Sequence, residues 1–129
     1  MYYTPVNAKK RVLVVDDEAG VLRFVKTLLS LEGYDVNTAN NGEEGLQLVE
    51  TYKPDILLLD ILMVPVSGFD VLRRLRQFST LPVIIVTAKS DFGVTAVKEG
   101  ADGFIAKPFL PEIILKKIEE TLASWKSGT

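Results

Sequence analysis

Four short apolar runs, each followed at once by a polar side chain, restrict most strongly what this chain can fold into. They cover residues 11–15, 55–59, 83–86 and 104–106, and are followed by Asp16-Asp17, Asp60, Thr87 and Lys107. Runs of this length and composition are typical of strands buried on both faces. If they are parallel strands of one sheet, their carboxyl ends share one edge. The sequence therefore predicts that three carboxylates, a hydroxyl and an ammonium converge in one crevice.

The segments between these runs indicate helices, so strand and helix alternate along the chain. A half-exposed edge strand is predicted at residues 34–38 from its alternating pattern. Helices are predicted from the apolar spacing of 21–29, from the N-cap residues Asn41 and Ser67, over 91–99 and over 111–122. This alternation predicts a three-layer, doubly wound α/β domain with a parallel sheet. We expect one domain over 11–123, with loose tails at 1–10 and 124–129.

Composition removes several classes of function. The chain has 129 residues, 47% apolar and 25% charged, which is typical of one soluble globular domain. It has no apolar run long enough for a membrane span and no visible export signal, so we expect a cytoplasmic location. Its net charge of −2 gives no electrostatic reason for this domain to contact nucleic acid directly.

The absence of histidine and cysteine restricts the chemistry further. With neither residue type present, the chain cannot form a Ser-His-Asp triad, a histidine-ligated or thiolate-ligated zinc site, or a phosphohistidine. Any chemistry must therefore use carboxylates, hydroxyls and lysines, with or without a hard metal ion. Clustered carboxylates repel one another unless a cation neutralises them, and an all-oxygen acidic site suits Mg²⁺.

Each polar strand end also has a purely structural interpretation. One of Asp16 and Asp17 could be the N-cap of the next helix, and Thr87 could be an ordinary strand residue. Lys107 could be an exposed loop lysine, or it could form an ion pair with Asp60. The Lys107-Pro108 bond is a candidate cis peptide, because proline reduces the preference for the trans form.

Taken in order, these segments resemble the receiver domain of two-component response regulators, with chemotaxis receivers as the nearest pattern. The likeness covers roughly residues 10–122. It rests on Val14–Glu18, Asp60, Thr87-Ala88, Gly100–Asp102 and Lys107–Phe109. The resemblance implies a flavodoxin-like, five-stranded sheet of order 2-1-3-4-5.

The resemblance also implies the role of each site residue. Asp60 would be the phosphoacceptor, taking a phosphoryl group from a sensor histidine kinase or a phosphotransfer protein. Asp17 would bind Mg²⁺ directly and Asp16 through water, while Asp60 and the backbone carbonyl of Leu62 would complete the protein ligands. Lys107 and Thr87 would each contact a phosphoryl oxygen. The chain would catalyse only its own phosphorylation and dephosphorylation.

Thr87 and Phe104 resemble the switch pair of the family, although Phe104 could equally be a core residue. In the switch, the hydroxyl moves toward the phosphoryl group and the ring of Phe104 turns inward. This would alter an output face made of helix 91–99, strand 104–106 and helix 111–122, through which a homodimer could form.

Two departures from the family pattern lead to further expectations. The proline after Asp60 is at position 65, because Val64 occupies the expected place, which predicts a reshaped loop. The segment from Thr87 to Gly100 is about two residues short. Helix 91–99 is therefore expected to be shortened or partly unwound, with signalling through helix 111–122 more than through helix 91–99.

Three other functions compete with the receiver interpretation. One is a phosphohydrolase with an aspartate nucleophile, which Leu62 disfavours because such enzymes carry a second acid two positions after the first. Another is an interaction module on the same fold that is not phosphorylated, which the retained acids make a weaker alternative. Dinucleotide binding fails because no G-x-G-x-x-G motif follows the first strand. The cognate kinase and the output are not encoded in these residues, and the chain is either a stand-alone receiver or a piece of a longer protein.

Overall fold

Five strands and five helices alternate along the chain, as the sequence predicts. The computed structural model describes residues 9–127, with side chains up to Ser124. The strands are β1 (Arg11–Val15), β2 (Asp35–Ala39), β3 (Ile56–Leu59), β4 (Val83–Thr87) and β5 (Gly103–Ala106). The helices are α1 (Ala19–Leu31), α2 (Gly42–Thr51), α3 (Gly68–Arg76), α4 (Ser90–Lys98) and α5 (Pro111–Ser127).

The strands form one parallel sheet of order β2-β1-β3-β4-β5, which confirms the predicted topology. The order reverses between β1 and β3, the position at which open α/β sheets bind their ligands. Val15 is paired with Leu59 at the carboxyl ends of these two strands. The residues that follow them, Asp16 and Asp60, are therefore neighbours across the switch point.

Both faces of the sheet are covered, which explains why the central strands are apolar without alternation. One core contains Leu13, Leu57 and Ile85 together with residues of α3 and α4. The other contains the intervening strand residues, such as Val14 and Ile84, packed against α1 and α5. The side chains of β1, β3 and β4 face a core on each side of the sheet, so these strands are apolar apart from Arg11 at the start of β1 and Thr87 at the end of β4.

Local signals in the sequence start two of the helices as predicted. Asn41 caps α2, with its side chain accepting a hydrogen bond from the Glu44 amide at 2.9 Å. Ser67 caps α3 in a reciprocal capping box with Asp70. Within residues 9–127, none of the helices is long and apolar enough to span a membrane.

The ends of several elements differ from the prediction. α5 continues to Ser127, so residues 124–127 are helical rather than part of a loose tail. No proline or glycine occurs between Glu112 and Ser127, and nothing in the sequence stops the helix earlier. α4 is a regular nine-residue helix that begins at Ser90, without the partial unwinding that was expected. Residues 9 and 10 are exposed without regular structure, and most of the predicted N-terminal tail, residues 1–8, lies outside the described residues.

Candidate functional site

Three carboxylates converge at the carboxyl edge of the sheet. Asp16 and Asp60 are buried, Asp17 is exposed, and one carboxylate oxygen from each lies within 4.8 Å of the others. The backbone fixes two of them, because the Asp16 amide donates to the Ala39 carbonyl and the Asp60 amide to the Val15 carbonyl. The acidic cluster predicted from the strand ends is therefore present.

Lys107 joins this cluster and forms the suggested ion pair with Asp60, but its closest partner is Asp16. Its ammonium donates to the Asp16 carboxylate at 2.7 Å, while the Asp60 carboxylate lies 3.7 Å away. A third acid, Glu18, lies 3.4 Å from the same ammonium, and its amide donates to Asp16 at 2.9 Å. Glu18 was not expected in the site. An acid two residues after Asp16 is the signal that could have identified it, because an aspartate commonly accepts from the amide two positions on.

The position of Lys107 is set by the turn that follows β5. Its backbone amide donates to the Thr87 carbonyl at 2.8 Å, continuing the pairing of β4 and β5 by one residue. The Lys107-Pro108 peptide bond is cis, as the sequence suggested. The Val64-Pro65 bond is also cis, which the sequence analysis did not anticipate.

The loop after Asp60 is held by hydrogen bonds from its backbone amides. The Leu62 amide donates to the Asp60 carboxylate at 3.3 Å, and the Gly68 amide donates to the Ile61 carbonyl at 2.9 Å. A Cβ atom on Gly68 would lie 2.7 Å from the Ile61 Cα and closer still to the Asp60 carbonyl oxygen. Gly68 therefore packs directly against the backbone of the site, at a position that was not predicted from the sequence. A glycine at the start of a helix, directly after the N-cap, was the available signal.

Thr87 and Phe104 lie on the same face of the sheet. Thr87 is fully buried, and its hydroxyl oxygen accepts a hydrogen bond from the Lys89 amide at 3.1 Å. Phe104 is half-buried against the core that α3 and α4 cover. Because Phe104 pairs with Ile85, two residues before Thr87, the two side chains are diagonal neighbours.

The electrostatics of the cluster follow from its burial. Burial, and then the charge of Asp16, raise the pKa of Asp60 to about 6, with a smaller contribution from Asp17. Lys107 and the Leu62 amide lower the pKa of Asp60, because they stabilise the ionised carboxylate. Burial also disfavours the charged form of Lys107, but the hydrogen bond and charge of Asp16 outweigh burial and raise the pKa of Lys107.

The raised pKa of Asp60 predicts a pH-dependent stability. A pKa of about 6 in the folded state, against 3.8 in the unfolded state, means that Asp60 stabilises the fold only while it is protonated. Between pH 4.5 and pH 8 the fold should therefore lose about 2 kcal/mol of unfolding free energy through this one group, which faces Asp16, Asp17 and Lys107.

The variant Asp60→Asn cannot titrate, so its stability relative to the natural protein should rise with pH by that amount. Urea unfolding of both proteins at the two pH values, in the presence of EDTA, measures this difference. A constant difference between the two proteins would show that Asp60 is not the group responsible.

The donor set fits a hard divalent cation. All three side chains of the cluster supply carboxylate oxygens, which Mg²⁺ and Ca²⁺ prefer. One ammonium faces three acids, Asp16, Glu18 and Asp60, so the negative charge of the cluster is only partly compensated. A cation bound between Asp16, Asp17 and Asp60 would supply the missing positive charge.

Comparison with known proteins agrees with this geometry. The family described as response regulator receiver domain matches residues 12–119. A probable transcriptional regulator, ycf27 from Porphyridium aerugineum, is 40% identical over 116 residues, which are 88% of this chain and 48% of that protein. The alkaline phosphatase synthesis transcriptional regulatory protein PhoP of Bacillus subtilis is 37% identical, with the same coverage of both chains. The chain thus spans about half the length of the curated relatives it matches.

Solved structures show the same likeness. A CheY-like response regulator receiver domain protein from Methanospirillum hungatei superposes with a TM-score of 0.87 at 31% identity, covering 95% of this chain and 100% of that one. NtrX from Brucella abortus gives a TM-score of 0.88 at 29% identity, covering 93% of this chain and 28% of that one. The sequence match, the sheet order and the acidic cluster agree, and the chain belongs to the receiver domains of two-component response regulators.

Proposed function

We propose that Asp60 accepts a phosphoryl group from a sensor histidine kinase or a phosphotransfer protein. Phosphorylation of an aspartate is typical of the receiver family. The observation that carries the proposal is the convergence of Asp16, Asp17, Asp60 and Lys107 at the switch point of the sheet. The central strands end there, and Asp60 directly precedes the loop from Ile61 to Gly68.

The reaction proposed for Asp60 is a nucleophilic displacement at phosphorus. A carboxylate oxygen of Asp60 bonds to phosphorus as the bond from phosphorus to the donor's histidine nitrogen breaks, and the imidazole leaves with that electron pair and gains a proton from water. The product is an acyl phosphate on Asp60. Hydrolysis by water returns the carboxylate and releases inorganic phosphate, so the chain acts only on its own modification.

Five other groups of the chain would prepare Asp60 for this step. Asp17 would hold Mg²⁺ directly and Asp16 through water, with Asp60 and the Leu62 carbonyl as further ligands. Bound Mg²⁺ supplies positive charge that keeps Asp60 ionised and offsets the charge of the phosphoryl oxygens. The Lys107 ammonium, 3.7 Å from the Asp60 carboxylate, would pair with one phosphoryl oxygen. The Thr87 hydroxyl would contact another.

The phosphoryl donor must be another protein or domain that carries the histidine, or a small phosphodonor, because these 129 residues contain no histidine. An apolar groove beside Lys107 is a suitable docking surface for the kinase, since it opens next to the acceptor site. It lies between α1 and the turn after β5, and Phe24 and Phe109 form a tilted ring pair there with centroids 6.3 Å apart. The homodimer would form elsewhere, through the output face, where Val94, Val97 and Ile113 are exposed on α4 and α5.

Acetyl phosphate tests the proposed function without a kinase, because it is a small phosphodonor with acetate as its leaving group. With Mg²⁺ present, we expect one alkali-labile, hydroxylamine-sensitive phosphoryl group per chain, as an acyl phosphate requires. Addition of EDTA should remove the labelling, because the three carboxylates then lack their counter-charge. Labelling that is insensitive to EDTA would contradict the proposed role of the metal. Steady turnover of a generic phosphate ester would contradict the proposal and favour a phosphohydrolase.

A further inference from the structure

Gly93 lies in the middle of α4, directly over the ring of Phe104. A Cβ atom on Gly93 would be 2.5 Å from the Phe104 Cγ, closer still to its Cδ2, and 3.0 Å from its Cβ. Ring atoms therefore fill the space that any side chain at position 93 would need. Glycine also has a low helix propensity, so the close contact with Phe104 occurs at a position where the residue itself disfavours the helix.

The contact connects α4 with the switch pair. Phe104 pairs with Ile85 across the sheet, and Thr87 follows two residues later on the same face. A separation of one strand and two residues places the Cα atoms of Thr87 and Phe104 roughly 8 Å apart. The ring of Phe104 thus lies against Gly93, and the fully buried Thr87 is the diagonal neighbour of Phe104 on the adjacent strand.

We propose that Gly93 is a positioning residue that couples the Phe104 ring to α4. Because Gly93 has no side chain, it leaves a space on α4, called the seat below, which the Phe104 ring fills. When the ring turns toward Thr87 it leaves a gap there, and α4 closes this gap by moving toward β5. This proposal rests on the proposed function, because phosphorylation of Asp60 is what would move Thr87. α4 is then the helix that responds first. The short segment between Thr87 and Gly100 had instead led to the expectation that the signal passes mainly through helix 111–122.

Hydrogen exchange on the full chain, with and without beryllium fluoride and Mg²⁺ as a phosphoryl mimic, tests the coupling. In the natural protein we expect the larger change in exchange over Ser90–Lys98 and the smaller one over Pro111–Ser124. In Gly93→Ala the new methyl occupies the seat, and the change in α4 should fall by at least about half, because no gap opens when the ring moves. Gly20→Ala is the matched control, because a Cβ there meets nothing within 4 Å and α1 covers the other face of the sheet. A change confined to α5, or a full response of α4 in Gly93→Ala, would overturn the proposal.

The seat itself can be tested without any phosphoryl mimic. Gly93→Ala should lower the melting temperature by about 5 °C in the natural background and should not lower it in a Phe104→Ala background, where the ring is gone. Equal shifts in both backgrounds would mean that the ring does not define the seat, and would refute the inference. If the mimic fails to bind the natural protein, the proposed function fails together with the transmission step. The melting experiment still decides on the seat in that case.

Discussion

Replacement of Asp60 by asparagine is expected to reduce labelling by acetyl phosphate to background. The carboxamide has the same shape but neither the negative charge nor the nucleophilic oxygen that bonds to phosphorus. It also removes one of the three carboxylates that would hold Mg²⁺. The loss should be complete, because Asp16 accepts hydrogen bonds from Lys107 and from the Glu18 amide and Asp17 would hold Mg²⁺.

Asp55→Asn is the matched control for this experiment. Asp55 directly precedes β3, at the opposite edge of the sheet, and its carboxylate accepts a hydrogen bond from the Arg11 amide at 2.8 Å. The same chemical change there should leave labelling intact. The site assignment would be wrong if Asp60→Asn were still labelled and peptide mapping placed the phosphoryl group on another side chain.

The topology and the strand-end residues could be predicted because both depend on patterns along the chain. Buried parallel strands require continuous apolar runs, and their common direction brings the residues after them to one edge. This reasoning correctly brought Asp16, Asp60 and Lys107 together. It did not depend on how any side chain is oriented.

The details that the sequence did not reveal depend on side-chain geometry and on close backbone approach. Lys107 lies at the junction of three acids, and only the folded distances show that Asp16 rather than Asp60 receives its short hydrogen bond. Gly68 and Gly93 appear in the sequence as ordinary helix residues, but each one leaves room for a specific neighbour in three dimensions. The boundary of α5 was missed for a different reason, because its amphipathic pattern weakens before the helix itself ends.

Substitution of Gly68 by alanine is expected to damage both stability and phosphorylation. The new Cβ would press against the Asp60 carbonyl and the Ile61 Cα, which are backbone atoms and cannot rotate away as a flexible side chain could. Overpacking of this kind costs about 1–3 kcal/mol, measurable by urea unfolding. The shift needed to relieve it moves the segment that carries Asp60 and Leu62. Labelling by acetyl phosphate, measured while the protein is fully folded, should therefore fall by about tenfold or more.

Two controls separate displacement of Asp60 from a general loss of stability. Gly20→Ala makes the same chemical change near the start of α1, where a Cβ meets nothing within 4 Å, and it should alter neither stability nor labelling by much. Leu75→Ala removes a fully buried side chain of α3 and should cost about 2–5 kcal/mol, at least as much as Gly68→Ala, without moving the Asp60 backbone. If Leu75→Ala lowered labelling as much as Gly68→Ala at equal folded fraction, the effect of Gly68 would be one of stability alone. We expect Leu75→Ala to retain labelling, because the loop from Asp60 to Gly68 is held by backbone contacts that this substitution leaves in place.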